Sequence, residues 1–395
     1  MHLNFLKAIG MNYLITVVIA ARNAEQTIER AVNSVCETGD AKILLVDDYS
    51  DDDTVRLAKS RGGDLLEVVT PREKIGLGNA RQAGLESVDT PYLMWLDADD
   101  ELLAGRLDRM LARLEKGADL VFDSAELCDG ASGKFIKNLQ IPSFLWEGMG
   151  LYRSFERNYL PGPAWPAARV EFARKVGYDP EQNACEDTDF ILRALRLGAK
   201  WELLSEVGYR QFAYETSLSR DLTHQRRFLA RAFSKHSFLE LEAFLKGKGV
   251  EAGLLAWCLC SNALFRGDWP QADLYAREAF GESAKESEEL LLPWRVGFDW
   301  LSCFIRGSVA LLNGKGEAEA LLERCVELEE SPDALNNLGV VRAKLGKRNE
   351  AVDCFEKALQ LMPGYLDARR NLENAEVAAN ITTHPLRRFE SRSGY

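Results

Sequence analysis

Three carboxylates fall within four positions, at Asp97, Asp99 and Asp100, directly after the apolar run Tyr92-Leu93-Met94-Trp95-Leu96 headed by Pro91. Asp97 and Asp99 alternate, so an extended chain turns both side chains the same way. Such a pair is costly unless a cation neutralises it, and hard oxygen ligands suit Mg²⁺ or Mn²⁺. D-x-D alone is common, and its bland counterpart is a polar turn opening the next helix, with Asp99 or Asp100 as N-cap. A second acidic stretch, Asp47-Asp48-Tyr49-Ser50-Asp51-Asp52-Asp53-Thr54, follows another apolar run, Ile43 to Val46. Part of that cluster must cap the helix expected over Thr54 to Ser60.

Both clusters need strands to deliver them. Ile15-Thr16-Val17-Val18-Ile19-Ala20 is β-branched and reads as a first strand, Ile43–Val46 as a second, Leu65–Val69 as a third and Tyr92–Leu96 as a central, buried one. Between them Ile28, Ala31, Val32 and Val35 recur at helical spacing, in a helix expected to end near Gly39. Gly76-Leu77-Gly78-Asn79-Ala80-Arg81-Gln82-Ala83-Gly84 leads into another, its glycines able to let backbone approach a phosphate. Strands alternating with helices imply an open, largely parallel α/β sheet, whose ligands bind at the C-terminal strand edge. That edge gathers Asp48, Asp97 and Asp99.

Composition narrows the class. The chain has 395 residues, enough for two or three domains, with 46% hydrophobic and 28% charged residues, as in an ordinary soluble globular protein. Its net charge of -12 argues against general nucleic-acid binding, which needs a basic face. The 8 cysteines are scattered, and Cys258-Leu259-Cys260 is not a zinc spacing, so buried reduced thiols are expected. The histidines (His2, His224, His236, His384) form no metal-ligand spacing, and His224 is at most a remote candidate ligand. No apolar stretch reaches the roughly eighteen residues of a membrane span. Met1 to Gly10 lacks a signal-peptide pattern, and residues 1–12 are expected to be a short disordered leader, with Met11 an alternative start.

Taken in order and spacing, VVIAARNAE, LLVDDYSDDDT, GLGNARQAGL and YLMWLDADD resemble the nucleotide-sugar-binding half of a GT-A, family 2 glycosyltransferase. Two later stretches agree. Val176-Gly177-Tyr178-Asp179-Pro180-Glu181 followed by Glu186-Asp187-Thr188-Asp189-Phe190 resembles the acceptor-side "ED" motif, and Tyr209-Arg210-Gln211-Phe212 with Ser217-Leu218-Ser219 resembles the closing segment. The likeness runs from about Tyr13 to Arg220. Each motif alone is weak, and the ordered set is strong.

The resemblance implies a Rossmann-like GT-A catalytic domain over 13–220 and a role for each matching residue. Ala21, Arg22 and Glu25 fall in the loop that touches the nucleoside. Asp48 matches the carboxylate that hydrogen-bonds uracil, which favours a UDP-sugar donor. Arg81 matches an arginine near the donor, Asp97 the residue near the ribose, Asp99 the ligand of a Mn²⁺ or Mg²⁺ beneath the diphosphate, and Asp187 the catalytic base. Charge explains the pattern: the leaving diphosphate gathers negative charge that a cation offsets, and the attacking hydroxyl must lose its proton to a carboxylate. The bland counterpart for Glu186-Asp187 is a helix N-terminus that favours acids, ahead of Phe190-Ile191, Ala194 and Leu195. Four positions depart from the family pattern: Ala20 replaces proline, Arg22 tyrosine and Tyr49 glycine, while Phe212 stands where many members carry a metal-reaching histidine. Trp146 to Trp165, with Tyr152, Phe155 and Tyr159, is either an acceptor loop with stacking platforms or aromatic packing over the sheet.

After Arg220 the sheet pattern gives way to helices. Phe228 to Leu245 is expected as one connecting helix within 221–249. Leu335, Leu338, Gly339, Ala351, Phe355, Ala358 and Pro363 resemble a tetratricopeptide (TPR) repeat of roughly 34 residues. Leu312-Asn313-Gly314 with Ala318, Leu322 and Cys325, and Phe265-Arg266-Gly267 with Ala272, Ala276 and Ala279, look like degenerate copies, placing all-α TPR-like repeats over 250–380. Leu366 to Ala379 would cap the stack, before a disordered tail at 381–395.

The expectation is therefore a cytoplasmic, metal-dependent, inverting glycosyltransferase, soluble or peripheral at the inner membrane face. Its donor is a nucleotide-sugar, and its acceptor is a glycan, a lipid-linked sugar or a protein. The repeats would recruit acceptor or partner, or make a homo-oligomer. Two alternatives stand beside it. A nucleotidyltransferase also uses strand-end aspartates but would show a lysine- and glycine-rich first loop, which Ala20 to Glu25 is not. A catalytically dead TPR adaptor would tolerate the Phe212 change.

Overall fold

A computed structural model describes residues 13–38, 40–146, 148–160, 166–214, 222–280 and 298–382. The expected leader, Pro161 to Trp165, Ser217-Leu218-Ser219 and the tail beyond Thr382 lie outside these residues. Among the described residues, 13–154, 158–214 and 227–232 form one unit, and 155–157, 222–226 and 233–382 form a second.

The first unit is a nine-stranded sheet. Its leading strands are β1 (Ile15–Ala21), β2 (Lys42–Asp47), β3 (Leu66–Val69) and β4 (Tyr92–Asp97). They lie in the order β3-β2-β1-β4 and pair in parallel. Helices α1 (Ile28–Thr38), α2 (Thr54–Gly62) and α3 (Leu77–Ser87) make the crossovers. Odd-numbered β1 residues Ile15, Val17 and Ile19 pack with Ile28, Ala31, Val32 and Val35 of α1. The opposite face is covered by α3, where a Cβ on Gly84 would stand 2.9 Å from Val18 and from Val46. Burial on both faces is why these strands read as continuous apolar runs rather than alternating ones.

The expected parallel pattern ends at β4. The remaining strands are β5 (Glu101–Leu102), β6 (Leu120–Asp129), β7 (Phe135–Leu139), β8 (Ala167–Arg169) and β9 (Trp201–Ala213). Short β8 pairs antiparallel with both β4 and β6, while β6 and β9 are parallel. The sheet is therefore mixed, an α/β architecture of the GT-A kind whose second half is antiparallel around β8. Helix α4 (Arg106–Leu114) follows β5, and α5 (Val170–Val176) and α6 (Glu186–Arg196) lie between β8 and β9.

The second unit is helical. The single connecting helix expected over 228–245 is instead two, α7 (Leu222–Ser234) and α8 (Phe238–Gly247). The break falls at Ser237, whose hydroxyl accepts from Glu240 N–H while the Glu240 carboxylate accepts from Ser237 N–H, a capping box that starts a new helix. Three helix pairs follow among the described residues: α9 (Ala252–Arg266) with α10 (Trp269–Phe280), α11 (Phe298–Leu312) with α12 (Ala318–Leu328), and α13 (Pro332–Lys344) with α14 (Arg348–Leu361). Helix α15 (Leu366–Glu373) closes the stack and is shorter than the expected cap. Gly339 shows why the repeat wants a small residue: a Cβ there would stand 2.5 Å from the Phe355 ring. Among the described residues no helix is long and apolar enough to cross a membrane.

Candidate active site

The register of the parallel strands assembles the site. Ala20 of β1 pairs with Asp97 of β4, and Ala21 with Asp47 of β2, so both acidic strand ends flank the end of β1. The Ala21 carbonyl carries the ladder one step further by accepting from Asp48 N–H at 2.9 Å. After Asp97 the chain turns and enters β5, which pairs with β9 through Glu101–Arg210 and Leu102–Tyr209. The next helix begins only at Arg106, after a left-handed Gly105, so the aspartates do not cap it.

Carboxylate oxygens of Asp97, Asp99 and Asp100 lie within 4.8 Å of one another. Two of the three are engaged. Asp97 is bonded to the guanidinium of Arg81, which is buried and lies 4.8 Å from the Trp95 ring centroid. Asp100, fully buried, accepts from Tyr209 OH at 2.8 Å and from Phe212 N–H at 2.8 Å. The Asp99 carboxylate is held only by its own backbone, with no other residue seen bonded to it among the described residues. Burial pushes its carboxyl up to about 6, with Asp97 adding to the rise and its own backbone, Arg30 and Arg81 opposing it. Burial, then Asp99 and Asp97, hold Asp100 well above the ordinary carboxylate range. Three crowded carboxylates, one of them open, fit a divalent cation with oxygen ligands.

Glu186 and Asp187 sit at the start of α6. Cys185, left-handed at φ 53°, turns the chain into Glu186 and Asp187. The Asp187 carboxylate accepts from Thr188 N–H at 2.6 Å and from Asn158 Nδ2 at 3.4 Å. Burial raises it to about 6; the Thr188 N–H opposes that rise and Asp97 adds to it. Glu186 is buried 3.8 Å from Arg81 Nε and is pushed up to about 8, by burial first, against Arg81 and with Asp187. Arg81 therefore lies between the two acidic groups, bonded to one and beside the other.

The residues expected near the nucleoside divide. Asp48 is buried, and its Oδ1 has no hydrogen-bond partner. Burial raises its pKa, opposed by the charges of Arg22 and Lys74. Arg22 is exposed. Glu25 is committed to tying two loops together: its N–H donates to Asp52 at 3.1 Å and its carboxylate accepts from Asp53 N–H at 3.2 Å. Asp52 also accepts from Thr54 N–H at 3.0 Å, so it satisfies the start of α2. Tyr49, in the usual glycine position, adopts φ 61°, the region glycine enters most cheaply. Its hydroxyl lies 2.9 Å from the Pro71 carbonyl and 3.1 Å from that of Arg72.

Two expectations are redirected. Gly78 does not open a phosphate cradle: a Cβ there would overlap the Asp179 carbonyl and stand 2.6 Å from that of Gln182. It admits the backbone of the 179–182 loop instead. Phe155 and Tyr159 are buried, with Tyr159 edge-on to Phe144 at 4.9 Å, so these two pack rather than offer stacking platforms; Trp146 is exposed, and Trp165 lies outside the described residues. Sequence reading also missed Arg30. Its guanidinium lies 3.7 Å from the Phe212 ring centroid, donates to the Asp99 carbonyl, reaches Tyr214 OH at 2.9 Å and stands 3.4 Å from Glu101. Its only signal was an arginine within the apolar period of α1. Asp100 and Tyr209 were visible as motif letters, but their buried bond was not.

Comparison with known proteins places two parts of the chain beside known families. Residues 16–173 match the family described as "Glycosyl transferase family 2", and residues 332–365 match "Tetratricopeptide repeat". The chain is 30% identical over 220 residues to the succinoglycan biosynthesis protein ExoU of Rhizobium meliloti, covering 52% of this chain and 64% of that protein. It is 25% identical over 130 residues to the Escherichia coli UDP-Glc:alpha-D-GlcNAc-diphosphoundecaprenol beta-1,3-glucosyltransferase WfgD, covering 32% of this chain and 51% of that protein. The chain thus spans less than two thirds of each of these relatives. Among solved structures, a 1-349 fragment of S. aureus TarS aligns with a TM-score of 0.49 and 16% identity, covering 84% of this chain and 91% of that one.

Proposed function

We propose, from the match of residues 16–173 to the family 2 glycosyltransferases and of residues 332–365 to the tetratricopeptide repeat, that the protein moves a sugar from a UDP-sugar onto an acceptor hydroxyl with inversion at the anomeric carbon. The observation that carries the reading is Arg81, which joins the aspartates at the end of β4 to the carboxylates at the start of α6.

The roles follow from each residue's surroundings. Asp48 holds a buried, unpartnered carboxylate oxygen, the acceptor that a uracil N–H needs. Asp99 is the open member of the triad and would hold Mn²⁺ or Mg²⁺, with Asp97 and Asp100 beside it. A bound ion supplies charge that offsets the negative charge gathering on the leaving diphosphate. Asp187 takes the proton of the acceptor hydroxyl as that oxygen bonds to the anomeric carbon and the bond to the UDP oxygen breaks. A carboxyl near 6 is ionised at neutral pH yet basic enough to receive that proton. Glu186 stays beside Arg81 as an orienting neighbour.

ExoU and WfgD are named for succinoglycan biosynthesis and for glucosyl transfer to a diphosphoundecaprenol-linked sugar. An acceptor in a bacterial glycan assembly, carried on a polysaccharide or a lipid, fits that company. The test is release of UDP from a panel of UDP-sugars with Mn²⁺, beside Asp99→Ala. Metal-dependent release from one sugar in the wild type, absent in the variant, is expected. Absence of both release and UDP binding would overturn the reading.

A further inference from the structure

Arg30 takes no part in the proposed transfer, yet its side chain grips the turn that carries the acidic triad. Helix α1 buries Ile28, Ala31, Val32 and Val35 against the sheet. Arg30 and Ser34 stand four residues apart on it, so one helix face presents both to the same neighbour. That neighbour is the turn between β4 and β5. The Arg30 guanidinium donates to the Asp99 carbonyl, and the Ser34 hydroxyl accepts from Leu102 N–H at 3.1 Å. Within the turn, Asp100 N–H donates to the Asp97 carbonyl at 3.1 Å. Arg30 is in turn held at the end of β9. Its guanidinium lies 3.7 Å from the Phe212 ring centroid and donates to Tyr214 OH at 2.9 Å, while its Nε stands 3.4 Å from Glu101. Phe212 N–H donates to Asp100 at 2.8 Å, so Arg30 and Asp100 are fixed to the same strand end.

A carboxylate that is to hold a cation binds it more tightly when it is aimed beforehand, because ordering it on binding costs affinity. The Asp97 carboxylate is fixed by Arg81, and that of Asp100 by Tyr209 and Phe212. The Asp99 carboxylate is held only by its own backbone, so its direction is set by where its peptide is fixed. Arg30 is what fixes it. A guanidinium suits the task, since it stays charged, lays its plane on an aromatic ring and donates to oxygens along its edge. We propose that Arg30 is a positioning residue for the cation site: braced on Phe212 and Tyr214, it holds the Asp99 peptide so that the carboxylate is preformed for the ion. The inference rests on the reading of Asp97, Asp99 and Asp100 as a Mn²⁺ or Mg²⁺ site. An arginine that only tied α1 to the sheet would change stability and leave the ion's affinity for the folded protein unchanged.

The experiment measures Mn²⁺ binding to the full chain with UDP present, from the electron paramagnetic resonance signal of the free ion. Arg30→Ala is expected to weaken Mn²⁺ binding at least about tenfold, the loss of one charge-assisted hydrogen bond that preforms the site. Its UDP affinity without metal should stay at the wild-type value. Arg30→Lys keeps the charge and loses the fork and the planar stacking, so it should lie between, about threefold weaker than wild type. A folded Arg30→Ala chain with wild-type Mn²⁺ affinity overturns the inference, as does a loss matched by an equal loss of metal-free UDP binding. If Arg30→Ala does not fold, Arg30→Lys decides, and unchanged Mn²⁺ affinity there overturns the inference. Asp99→Ala separates this claim from the reading beneath it. Mn²⁺ bound equally by wild type and Asp99→Ala removes the cation site, and the inference with it. Mn²⁺ affinity lost in Asp99→Ala and kept in Arg30→Ala overturns the role of Arg30 alone.

Discussion

Arg81 is bonded to Asp97 across the end of the sheet while its Nε lies 3.8 Å from Glu186, so one buried guanidinium holds the carboxylates of β4 and α6 together. Trp95 lies under it, and Tyr178, stacked on Phe190 at 4.8 Å, stands edge-on to Trp95 at 5.5 Å. The cation is enclosed by aromatic surface on one side and acids on the other. Removing it leaves buried Glu186 and half-buried Asp97 without the cation between them. Arg81→Ala is expected to lower stability by about 3 kcal/mol, the low end for a broken buried pair because Asp97 is partly exposed. Arg81 also lowers the Asp187 pKa, so its loss should move the acid limb of the rate profile to higher pH. Arg81→Lys should restore much of the limb position and less of the stability, since an ammonium cannot keep the fork geometry. Thermal melts and pH–rate profiles of the two variants check both statements.

In the proposed base role Asp187 acts only when ionised. Its carboxyl is raised to about 6, so kcat/KM should fall about tenfold for each pH unit below that value and level off above it. Asp187→Asn should lose at least about a hundredfold in transfer while keeping UDP affinity. Transfer at the wild-type rate, or an unchanged acid limb in the residual activity, would remove Asp187 from the base role.

The first half of the sheet was legible because its strands are buried on both faces: Val17 and Ile19 face α1, Val18 faces α3, and the run reads as a strand on apolarity alone. Asp48, Asp97 and Asp99 stood out in the sequence because acids follow two separate apolar runs, Asp48 after β2 and Asp97 and Asp99 at and after the end of β4. The later strands were not. β5 is two residues long and β8 three, below what periodicity can register, and β9 alternates irregularly between buried and exposed positions. Without β5 and β9 nothing in the sequence could place Tyr209 OH on Asp100 or Arg30 on the Phe212 ring. Those contacts join residues more than a hundred positions apart, and only tertiary pairing decides them. The paired helices of the repeat were legible from small residues such as Gly339. The break at Ser237 was written in Ser237 and Glu240, and a continuous apolar pattern across it hid the cap.

Asp99 is the one member of the triad left open, so it should dominate the response to metal. Mn²⁺ with UDP is expected to raise the melting temperature of the wild type, because a ligand that binds only the folded state stabilises it by mass action. At a hundredfold excess over Kd the gain is about 2.7 kcal/mol. Asp99→Ala should lose the metal-dependent part of that shift. Asp100→Asn should lose less of it, since the Asp100 oxygens are occupied by Tyr209 OH and Phe212 N–H. Equal metal shifts in wild type and Asp99→Ala would exclude Asp99 as a ligand.

Tyr49 poses the sharpest exchange between strain and anchoring. Its φ of 61° costs about 1 kcal/mol relative to glycine, and its hydroxyl reaches the carbonyls of Pro71 and Arg72 beside Lys74, whose charge acts on Asp48. The residue thus holds the segment after β3 against the strand end that carries Asp48. Tyr49→Phe keeps the strain and loses the bond, and is expected to destabilise by about 1 kcal/mol and to raise the KM for the donor several-fold. Tyr49→Gly relieves the strain and loses the same bond, so its stability should lie near wild type while its KM rises as in Tyr49→Phe. Melts and donor titrations of the pair separate the two effects. A donor KM unchanged in both variants would show that the 71–74 segment is positioned without Tyr49.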